Sequence, residues 1–291
     1  MADAPRHLGI VANLRKPDAL PVARALQRRL TGAGRRVSLA PNLAAALGEE
    51  GGPPGVPHES DLLLVLGGDG TLLSTVRDMK DSTTPVLGIN LGGLGFLTAV
   101  SSSEIEDCVA AVIGGRFTVE ERHLLRATFR GDAGVETVID ALNEVVLDEG
   151  TFTRRAIVLE VHVDGVDVGT FTADGLIVAT PTGSTAYSLS AGGPIVKPTV
   201  PALVMSPVCA HSLSIRPLVF SEDEVVEVQN RIPGVTVKIT ADGQASYWIQ
   251  DESPIRIELS PRKARLAFLE GRPYYEILRS KLNWGGIPKD R

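Results

Sequence analysis

The chain has 291 residues, long enough for two domains or one large one, and its 43% hydrophobic content can fill a substantial core. A net charge of −6 argues against a nucleic-acid partner, which needs a clustered basic face. Two cysteines are too few for a disulfide framework or a thiolate zinc site, and the five histidines lack metal-ligand spacing. With no signal peptide and no apolar run of membrane-spanning length, we expect a cytoplasmic protein without a membrane partner.

The first hundred residues alternate between apolar strands and amphipathic helices. The predicted strands are Leu8–Ala12, Arg36–Leu39, Leu62–Leu66 and Pro85–Asn90, and the predicted helices between them are Asp18–Leu30 and Leu43–Leu47. This alternation predicts right-handed crossovers and a parallel sheet. Ligands bind such sheets at the carboxyl ends of the strands, where we expect the turns that begin at Gly67 and Gly92.

One stretch organises the first half, a fully apolar strand followed by Gly67-Gly68-Asp69-Gly70-Thr71. Glycines let a ligand approach the backbone, and Thr71 is predicted to cap the helix that follows, so Gly67, Gly68, Gly70 and Thr71 are candidate phosphate-binding residues. A carboxylate in such a turn is unexpected. Asp69 is either a base that takes a proton from a hydroxyl during phosphoryl transfer or a simple helix cap, and both alternatives stay open here.

The second half reads as antiparallel β structure. Arg126–Phe129 and Val135–Ile139 form one predicted hairpin, and Asp164-Gly165 is the turn of a second, between alternating strands. Further alternating strands follow, and no long helix interrupts residues 117–259. We therefore predict two packed sheets after a boundary near residue 100.

Two stretches of the β half carry candidate ligand contacts. Asn143-Glu144 offers an adjacent amide and carboxylate, which can bind nucleoside edges and ribose hydroxyls, although two such residues at a strand edge are more often simply solvated. Residues 173–194 run from a buried strand into small and hydroxylated residues around one aromatic, Tyr187, which could stack on a base. A flexible linker is the alternative for this second stretch. His211 is interpreted as structural.

Taken together, these motifs resemble the bacterial NAD kinases. Residues 67–71, Asn143-Glu144, 174–194 and 211–217 occur in the family's order and at compatible spacings, and the similarity is most specific over residues 180–194. The resemblance implies an α/β plus all-β architecture, with an N-terminal parallel-sheet α/β domain over residues 1–100 and a C-terminal β-sandwich domain over 101–267. A tail over 268–291 would return to the first domain.

The resemblance also implies a reaction, the ATP-dependent phosphorylation of the adenosine 2′-hydroxyl of NAD to NADP. ATP is the implied phosphoryl donor, and a divalent cation such as Mg²⁺ is implied without any side-chain ligand assigned. Asp69 would be the proton acceptor. The residues that would hold NAD are Asp69, Gly70, Asn143, Glu144, Arg154, Asp174, Thr185, Ala186, Tyr187, Ser188, Leu189, Ser190 and Gln244.

Two other functions share part of this pattern. Lipid kinases of the diacylglycerol type carry the Gly-Gly-Asp-Gly-Thr motif, but the sequence has no basic amphipathic helix and no lipidation signal. A non-catalytic dinucleotide sensor could keep the glycine-rich stretches and lose Asp69, which is present here. The family resemblance further implies a homodimer or homotetramer in which a neighbouring subunit completes part of the nucleotide site.

Overall fold

The computed structural model describes residues 4–49, 59–80, 82–93, 95–98, 100–131, 134–150, 156–249, 253–271 and 274–283. The chain divides into two compact units, one formed by residues 1–121 with 264–291 and the other by residues 122–263. The first unit extends past residue 100 because the next helix buries Cys108, Val109 and Val112 in that unit's hydrophobic core. The chain returns to the same unit at residue 264.

The first unit contains a parallel sheet in the order β2-β1-β3-β4, as predicted. All six residues of β3 are buried, which explains why its sequence is apolar without alternation. Short β5 pairs with the end of β4, and the last part of the long strand β17 (Ile255–Leu269) pairs with β4 through Leu266 and Val86. The strands are β1 (His7–Ala12), β2 (Arg36–Leu39), β3 (Leu62–Gly67), β4 (Val86–Asn90) and β5 (Val100–Ser101).

Five α-helices are described in this unit: α1 (Ala19–Gly32), α2 (Pro41–Leu47), α3 (Asp69–Asp78), α4 (Ile105–Ile113) and α6 (Tyr274–Leu282). None of the described helices is both long and apolar enough to cross a membrane. Thr71 is not the N-cap of α3 that the sequence predicted, although its Oγ1 accepts a hydrogen bond from the N-cap backbone, Gly68 N, at 3.4 Å. The extended backbone of Gly68 makes it the N-cap, so the helix begins at Asp69 and Thr71 is its third residue.

The second unit is built from two antiparallel sheets, as predicted. One has the order β13-β12-β11-β8-β15-β16, and the other contains β10-β9-β14-β17 together with the β6–β7 hairpin. The strands are β6 (Phe117–Arg130), β7 (Glu136–Ala141), β8 (Glu144–Glu149), β9 (Ile157–Val163), β10 (Val166–Ala173), β11 (Gly175–Ala179), β12 (Ala202–Val208), β13 (Leu218–Ser221), β14 (Val226–Asn230), β15 (Val237–Ala241), β16 (Ala245–Ile249) and β17 (Ile255–Leu269).

The two sheets share one hydrophobic core and form a sandwich. Leu147 and Leu176 from the six-stranded sheet belong to the same buried cluster as Leu159 and Val228 from the other sheet. The described helices of this unit are short, a 3₁₀ turn at Gly183–Thr185 and α5 (Tyr187–Ser190). Both follow β11, so the hydroxyl-rich stretch of the sequence is a folded turn and not a linker.

Candidate functional site

The glycine turn of the first unit lies where β3 ends and α3 begins. At Gly67 a side chain is excluded, because a Cβ would lie 2.2 Å from Thr71 Oγ1. Gly68 is partly exposed and Gly70 is exposed at the first turn of α3. The structure therefore brings the predicted phosphate-binding residues Gly67, Gly68, Gly70 and Thr71 together at the N-terminus of a ten-residue helix, where the dipole favours an anion.

The Asp69 carboxylate is held by a neighbouring turn. Its Oδ2 accepts a hydrogen bond from Phe96 N at 2.8 Å, and its Oδ1 accepts three, from Leu97 N at 3.2 Å, Thr98 N at 3.1 Å and Thr98 Oγ1 at 3.0 Å. The side-chain hydrogen bond described at the start of α3 runs from Gly68 N to Thr71 Oγ1 at 3.4 Å and does not involve Asp69. The Asp69 carboxylate accepts from residues 96–98 instead, so among the described residues the helix-cap alternative does not describe this side chain. A carboxylate oxygen accepts about two hydrogen bonds, so Oδ2 keeps capacity for one more donor.

The second glycine turn, which follows β4, allows the close approach of residues 95–98 to the Asp69 carboxylate. A Cβ on Gly95 would lie 1.8 Å from Asp69 Oδ1 and 2.4 Å from Thr98 Oγ1. Asn90, the last residue of β4, stabilises the turn by donating from Nδ2 to Gly93 O at 2.7 Å and to Thr98 Oγ1 at 2.8 Å. The sequence predicted a turn here at the end of a strand, from its glycines, but not the contact of that turn with Asp69.

In the second unit, Asn143 and Glu144 lie at the start of β8 and are almost fully buried. Their backbone is fixed by Asp242, whose carboxylate accepts hydrogen bonds from Leu142 N at 3.0 Å, Asn143 N at 2.7 Å and Glu144 N at 3.3 Å. Asp242 lies about a hundred residues away in the turn between β15 and β16, with φ of +51°. The sequence analysis did not identify this role, although an Asp-Gly pair after an alternating strand was visible.

Two side-chain oxygens in this region lack a hydrogen-bond partner among the described residues, Asn143 Oδ1 and Glu144 Oε2. Burial raises the pKa of Glu144 to about 7, and the nearby Asp242 charge acts in the same direction, whereas a hydrogen bond from the backbone N–H of Tyr187 lowers it. Buried polar atoms are nearly always paired in folded proteins. Two adjacent unpaired acceptors are therefore open to a ligand that supplies hydrogen-bond donors.

The turn after β11 packs directly on Asn143. Thr180 Oγ1 donates to Leu142 O at 2.6 Å, and Thr180 N donates to Asn143 O at 2.9 Å. A Cβ on Gly183 would lie 2.1 Å from Asn143 O, so the approach requires glycine. This contact places the 3₁₀ turn and α5 beside the unpaired oxygens of Asn143 and Glu144.

Within residues 185–190 the side chains differ in exposure. Tyr187 is 45% exposed, whereas Ser188 is buried and its hydroxyl lies 2.9 Å from Ser206 Oγ. Ser188 thus has a structural hydrogen bond in this conformation. The other predicted contacts of the stretch are partly or fully exposed: Thr185, Ala186, Leu189 and Ser190.

The remaining predicted NAD-binding residues lie in different places. Gln244 is exposed in the same turn as Asp242, close to the start of β8. Asp174 is exposed at the opposite end of β11, since Gly175 pairs with Asp148 and Ala179 with Glu144. At about 3.3 Å per residue, the strand separates Asp174 from Glu144 by roughly 17 Å along the sheet. Arg154 lies outside the described residues.

Comparison with known proteins agrees with this arrangement over both units. Residues 8–117 match the ATP-NAD kinase N-terminal domain, and residues 142–269 match the ATP-NAD kinase C-terminal domain. The NAD kinase of Moorella thermoacetica is 40% identical over 287 residues, which cover 98% of this chain and 92% of that protein. The NAD kinase of Syntrophotalea carbinolica is 40% identical over 283 residues, covering 96% and 99% respectively.

Solved structures with the same fold include two members of this group. Yeast NADH kinase complexed with NADH superimposes with a TM-score of 0.85 at 28% identity, covering 98% of this chain and 90% of that one. An NAD kinase from Archaeoglobus fulgidus in complex with ATP gives a TM-score of 0.75 at 26% identity, covering 95% and 98%. The resemblance predicted from the glycine turn and the residues after β11 is confirmed, and the chain belongs to the NAD kinase family.

Proposed function

We propose that this protein transfers the γ-phosphoryl group of ATP to the adenosine 2′-hydroxyl of NAD and so forms NADP. The observation that carries the proposal is the Asp69 carboxylate, oriented by four hydrogen bonds at the end of a phosphate-binding type of turn and still able to accept a proton on Oδ2. Family membership supports the same reaction, and the related solved structures bind ATP and a nicotinamide dinucleotide.

In the proposed reaction a bond forms between the 2′-oxygen of NAD and the γ-phosphorus of ATP. The bond from that phosphorus to the bridging oxygen breaks, the hydroxyl proton passes to Asp69 Oδ2, and ADP leaves. The amide donors around Asp69 fix the orientation of its carboxylate. This orientation matters because phosphoryl transfer has a loose transition state in which positioning dominates.

For NAD binding we propose that the unpaired oxygens of Asn143 and Glu144 accept hydrogen bonds from the vicinal hydroxyls of one ribose. A cis-diol offers two donors side by side, which is what two adjacent buried acceptors require. Tyr187, exposed next to them, is proposed to stack on a base. The other proposed contacts are Gly70, Arg154, Asp174, Thr185, Ala186, Ser188, Leu189, Ser190 and Gln244.

We propose that the divalent cation arrives with ATP and is not held in a cage of side chains. Among the described residues no group of three or more His, Cys, Asp or Glu side chains is arranged to hold a metal. Mg²⁺ commonly binds through the substrate phosphates with few protein ligands, and a glycine turn that receives those phosphates fits this mode. When bound, the cation would neutralise charge on the phosphates.

The cytoplasmic location stays a prediction from the sequence.

A homodimer or homotetramer is proposed for the active form. Asp174 lies at the far end of β11 from Glu144, so a role in the same NAD site is easier to explain if it acts on a neighbouring subunit. Light scattering at several concentrations beside an activity assay tests this, because specific activity should fall as the assembly dissociates. A fully active monomer at every concentration would contradict the assembly and leave the kinase activity intact.

The experiment that tests the function is a coupled assay for NADP formation by the purified chain with NAD, ATP and Mg²⁺. Parallel reactions replace NAD with NADH or with diacylglycerol in mixed micelles. We expect NADP formation and no phosphorylation of the lipid. Lipid phosphorylation without NADP would support the lipid kinase, and NAD binding without any turnover would support a sensor.

A further inference from the structure

A cavity of about 650 Å³ lies at the amino-terminal edge of the parallel sheet in the first unit. The described residues that line it are Ala4, Pro5, Arg6, Arg35 and Asp61. Arg6, Arg35 and Asp61 directly precede β1, β2 and β3, three neighbouring strands of that sheet. The volume is within the range of sites that hold small molecules, about 300–1,000 Å³.

This cavity is separate from the glycine turn of the same unit. β3 runs from Leu62, next to Asp61, to Gly67 at the start of the glycine turn. At about 3.3 Å per residue, the strand separates Asp61 from Gly67 by roughly 20 Å. A small ligand in the cavity therefore does not reach the glycine turn.

Backbone hydrogen bonds fix the walls of the cavity. Arg36 N donates to Arg6 O at 2.9 Å, and Asp61 N donates to His7 O at 2.8 Å. The Asp61 carboxylate in turn accepts from Arg6 N at 2.8 Å and His7 N at 2.9 Å, both on Oδ2. These hydrogen bonds, from His7 and then Arg6, hold the pKa of Asp61 below its ordinary value. Asp61 is therefore a fixed, charged acceptor that keeps Oδ1 for a ligand.

Arg35 contributes donors that the described residues do not use. Its side chain is partly buried and donates from Nη2 to Ile113 O at 3.0 Å, at the end of α4. Carbonyl groups at a helix C-terminus attract a cation, which is the structural reason for an arginine here. That contact uses one of the five N–H donors of a guanidinium. Nε is buried and has no partner among the described residues, and no described carboxylate forms an ion pair with Arg35.

Arg6 adds a second guanidinium to the same cavity. It is exposed, and the described interaction of its side chain is electrostatic, with the Asp61 carboxylate. Two arginines and one aspartate leave one excess positive charge. Guanidinium groups bind phosphate through paired N–H donors, and the three terminal oxygens of a phosphate monoester can accept from two arginines at once.

We propose that this cavity is a second ligand site, which binds a small phosphate monoester that carries hydroxyl groups, such as a sugar phosphate. Arg6 and Arg35 hold the phosphate, and a hydroxyl of the same molecule donates to Asp61 Oδ1. Ala4 and Pro5 supply the apolar part of the wall. The site is independent of the proposed kinase reaction, because the glycine turn stays open when the cavity is filled.

The test is calorimetric titration of the full-length wild type with ribose 5-phosphate, beside ribose and inorganic phosphate. We expect saturable binding of ribose 5-phosphate, at least about threefold tighter than that of inorganic phosphate because of the added hydroxyl contact, and no binding of ribose. The magnetic resonance signal of the Arg35 Nε–H group should shift with the same Kd.

Substitutions locate the binding. Arg35→Gln and Arg6→Gln should each weaken ribose 5-phosphate binding at least about tenfold, because each removes charge-assisted hydrogen bonds. Arg36→Gln is the matched control, since this exposed arginine follows Arg35 directly and is not among the described residues that line the cavity. It should stay within about twofold of the wild-type affinity.

An Arg35 with only a structural role would lower the stability of Arg35→Gln and leave the affinity unchanged, which overturns the inference. If Arg35→Gln does not fold, Arg6→Gln decides. Binding that persists in both variants lies elsewhere, and equal weakening by Arg36→Gln reports only the general positive charge, so either result overturns the inference. Equal affinities for ribose 5-phosphate and inorganic phosphate, or no binding at millimolar concentrations, do the same. None of these results bears on NADP formation, which tests the proposed function separately.

Discussion

Asp69 in the first unit and Asp242 in the second unit make the same kind of contact with the backbone. Each carboxylate accepts hydrogen bonds from three consecutive backbone N–H groups, those of residues 96–98 in one case and 142–144 in the other. Each bond joins segments far apart in the chain. In both regions a glycine admits the close approach, Gly95 beside Asp69 and Gly183 beside Asn143.

The difference lies in what remains available after those bonds are made. Asp69 is partly exposed and its Oδ2 has a single described donor, so it can still accept a proton. Asp242 is buried, and its carboxylate fixes the backbone of Asn143 and Glu144 by hydrogen bonds. The number of amide donors is therefore the same for the proposed base and for the structural carboxylate. The two differ in exposure and in the capacity of their oxygens to accept a further hydrogen bond.

The largest expected effect comes from Asp69→Asn, which removes the proposed proton acceptor while keeping the side chain's shape. Turnover should fall by about 10²–10⁴-fold, the usual loss for a general base. Steady-state kinetics with NAD and ATP measures it, and circular dichroism checks the fold. Asp78→Asn, on the exposed end of the same helix, is the control that should keep wild-type activity. A rate for Asp69→Asn within about twofold of wild type would remove its catalytic role.

Gly95→Ala should perturb the same carboxylate without changing its chemistry. The added Cβ would overlap Asp69 Oδ1 at 1.8 Å, and a displacement of about 1 Å can cost on the order of 10²-fold in rate. Gly93→Ala is the matched control, because a Cβ there meets nothing within 4 Å. Equal activities for the two variants would show that the 95–98 turn does not position Asp69.

Glu144→Gln should change stability in a pH-dependent way. Because the pKa of Glu144 rises from 4.5 to about 7 on folding, its ionisation destabilises the folded state fully above pH 7 and not at all below about pH 4.5. The variant should therefore be about 1–3 kcal/mol more stable than wild type at pH 8 and nearly equal to it at pH 4.5. Urea unfolding measures this, with exposed Asp167→Asn as control. A difference that is the same at both pH values would contradict the burial argument.

Tyr187→Ala is expected to have the smallest effect. Loss of one stacking ring should weaken NAD binding by about 1 kcal/mol, roughly fivefold in Kd, and leave the KM for ATP unchanged. Calorimetry checks the affinity, and Tyr275→Ala, a comparably exposed tyrosine on α6, is the control. An unchanged NAD affinity would show that the exposed ring does not contact the dinucleotide.

The sequence predicted the features that are local in the chain. The apolar run of β3, the glycines after it and the Asp164-Gly165 hairpin follow from patterns a few residues long, and the structure has them where they were expected. The start of α3 was placed too late, since a glycine with extended backbone served as the cap. Asp242 and Gly95 were missed as site residues because each acts on a segment distant in sequence. Such contacts depend on the folded register, which no local pattern encodes.

The central claim is that a carboxylate bonded to three backbone N–H groups serves catalysis in the first unit and NAD binding in the second. It is tested most directly by measuring NAD affinity and turnover for both Asp69→Asn and Asp242→Asn. The asparagine at 242 would aim an N–H₂ group at a backbone donor and loosen residues 142–144. We predict that Asp69→Asn loses at least about a hundredfold in turnover with NAD affinity within about fivefold of wild type. Asp242→Asn should lose at least about tenfold in NAD affinity and far less in turnover at saturating NAD. If both variants lower the same parameter to the same extent, the division of roles is wrong.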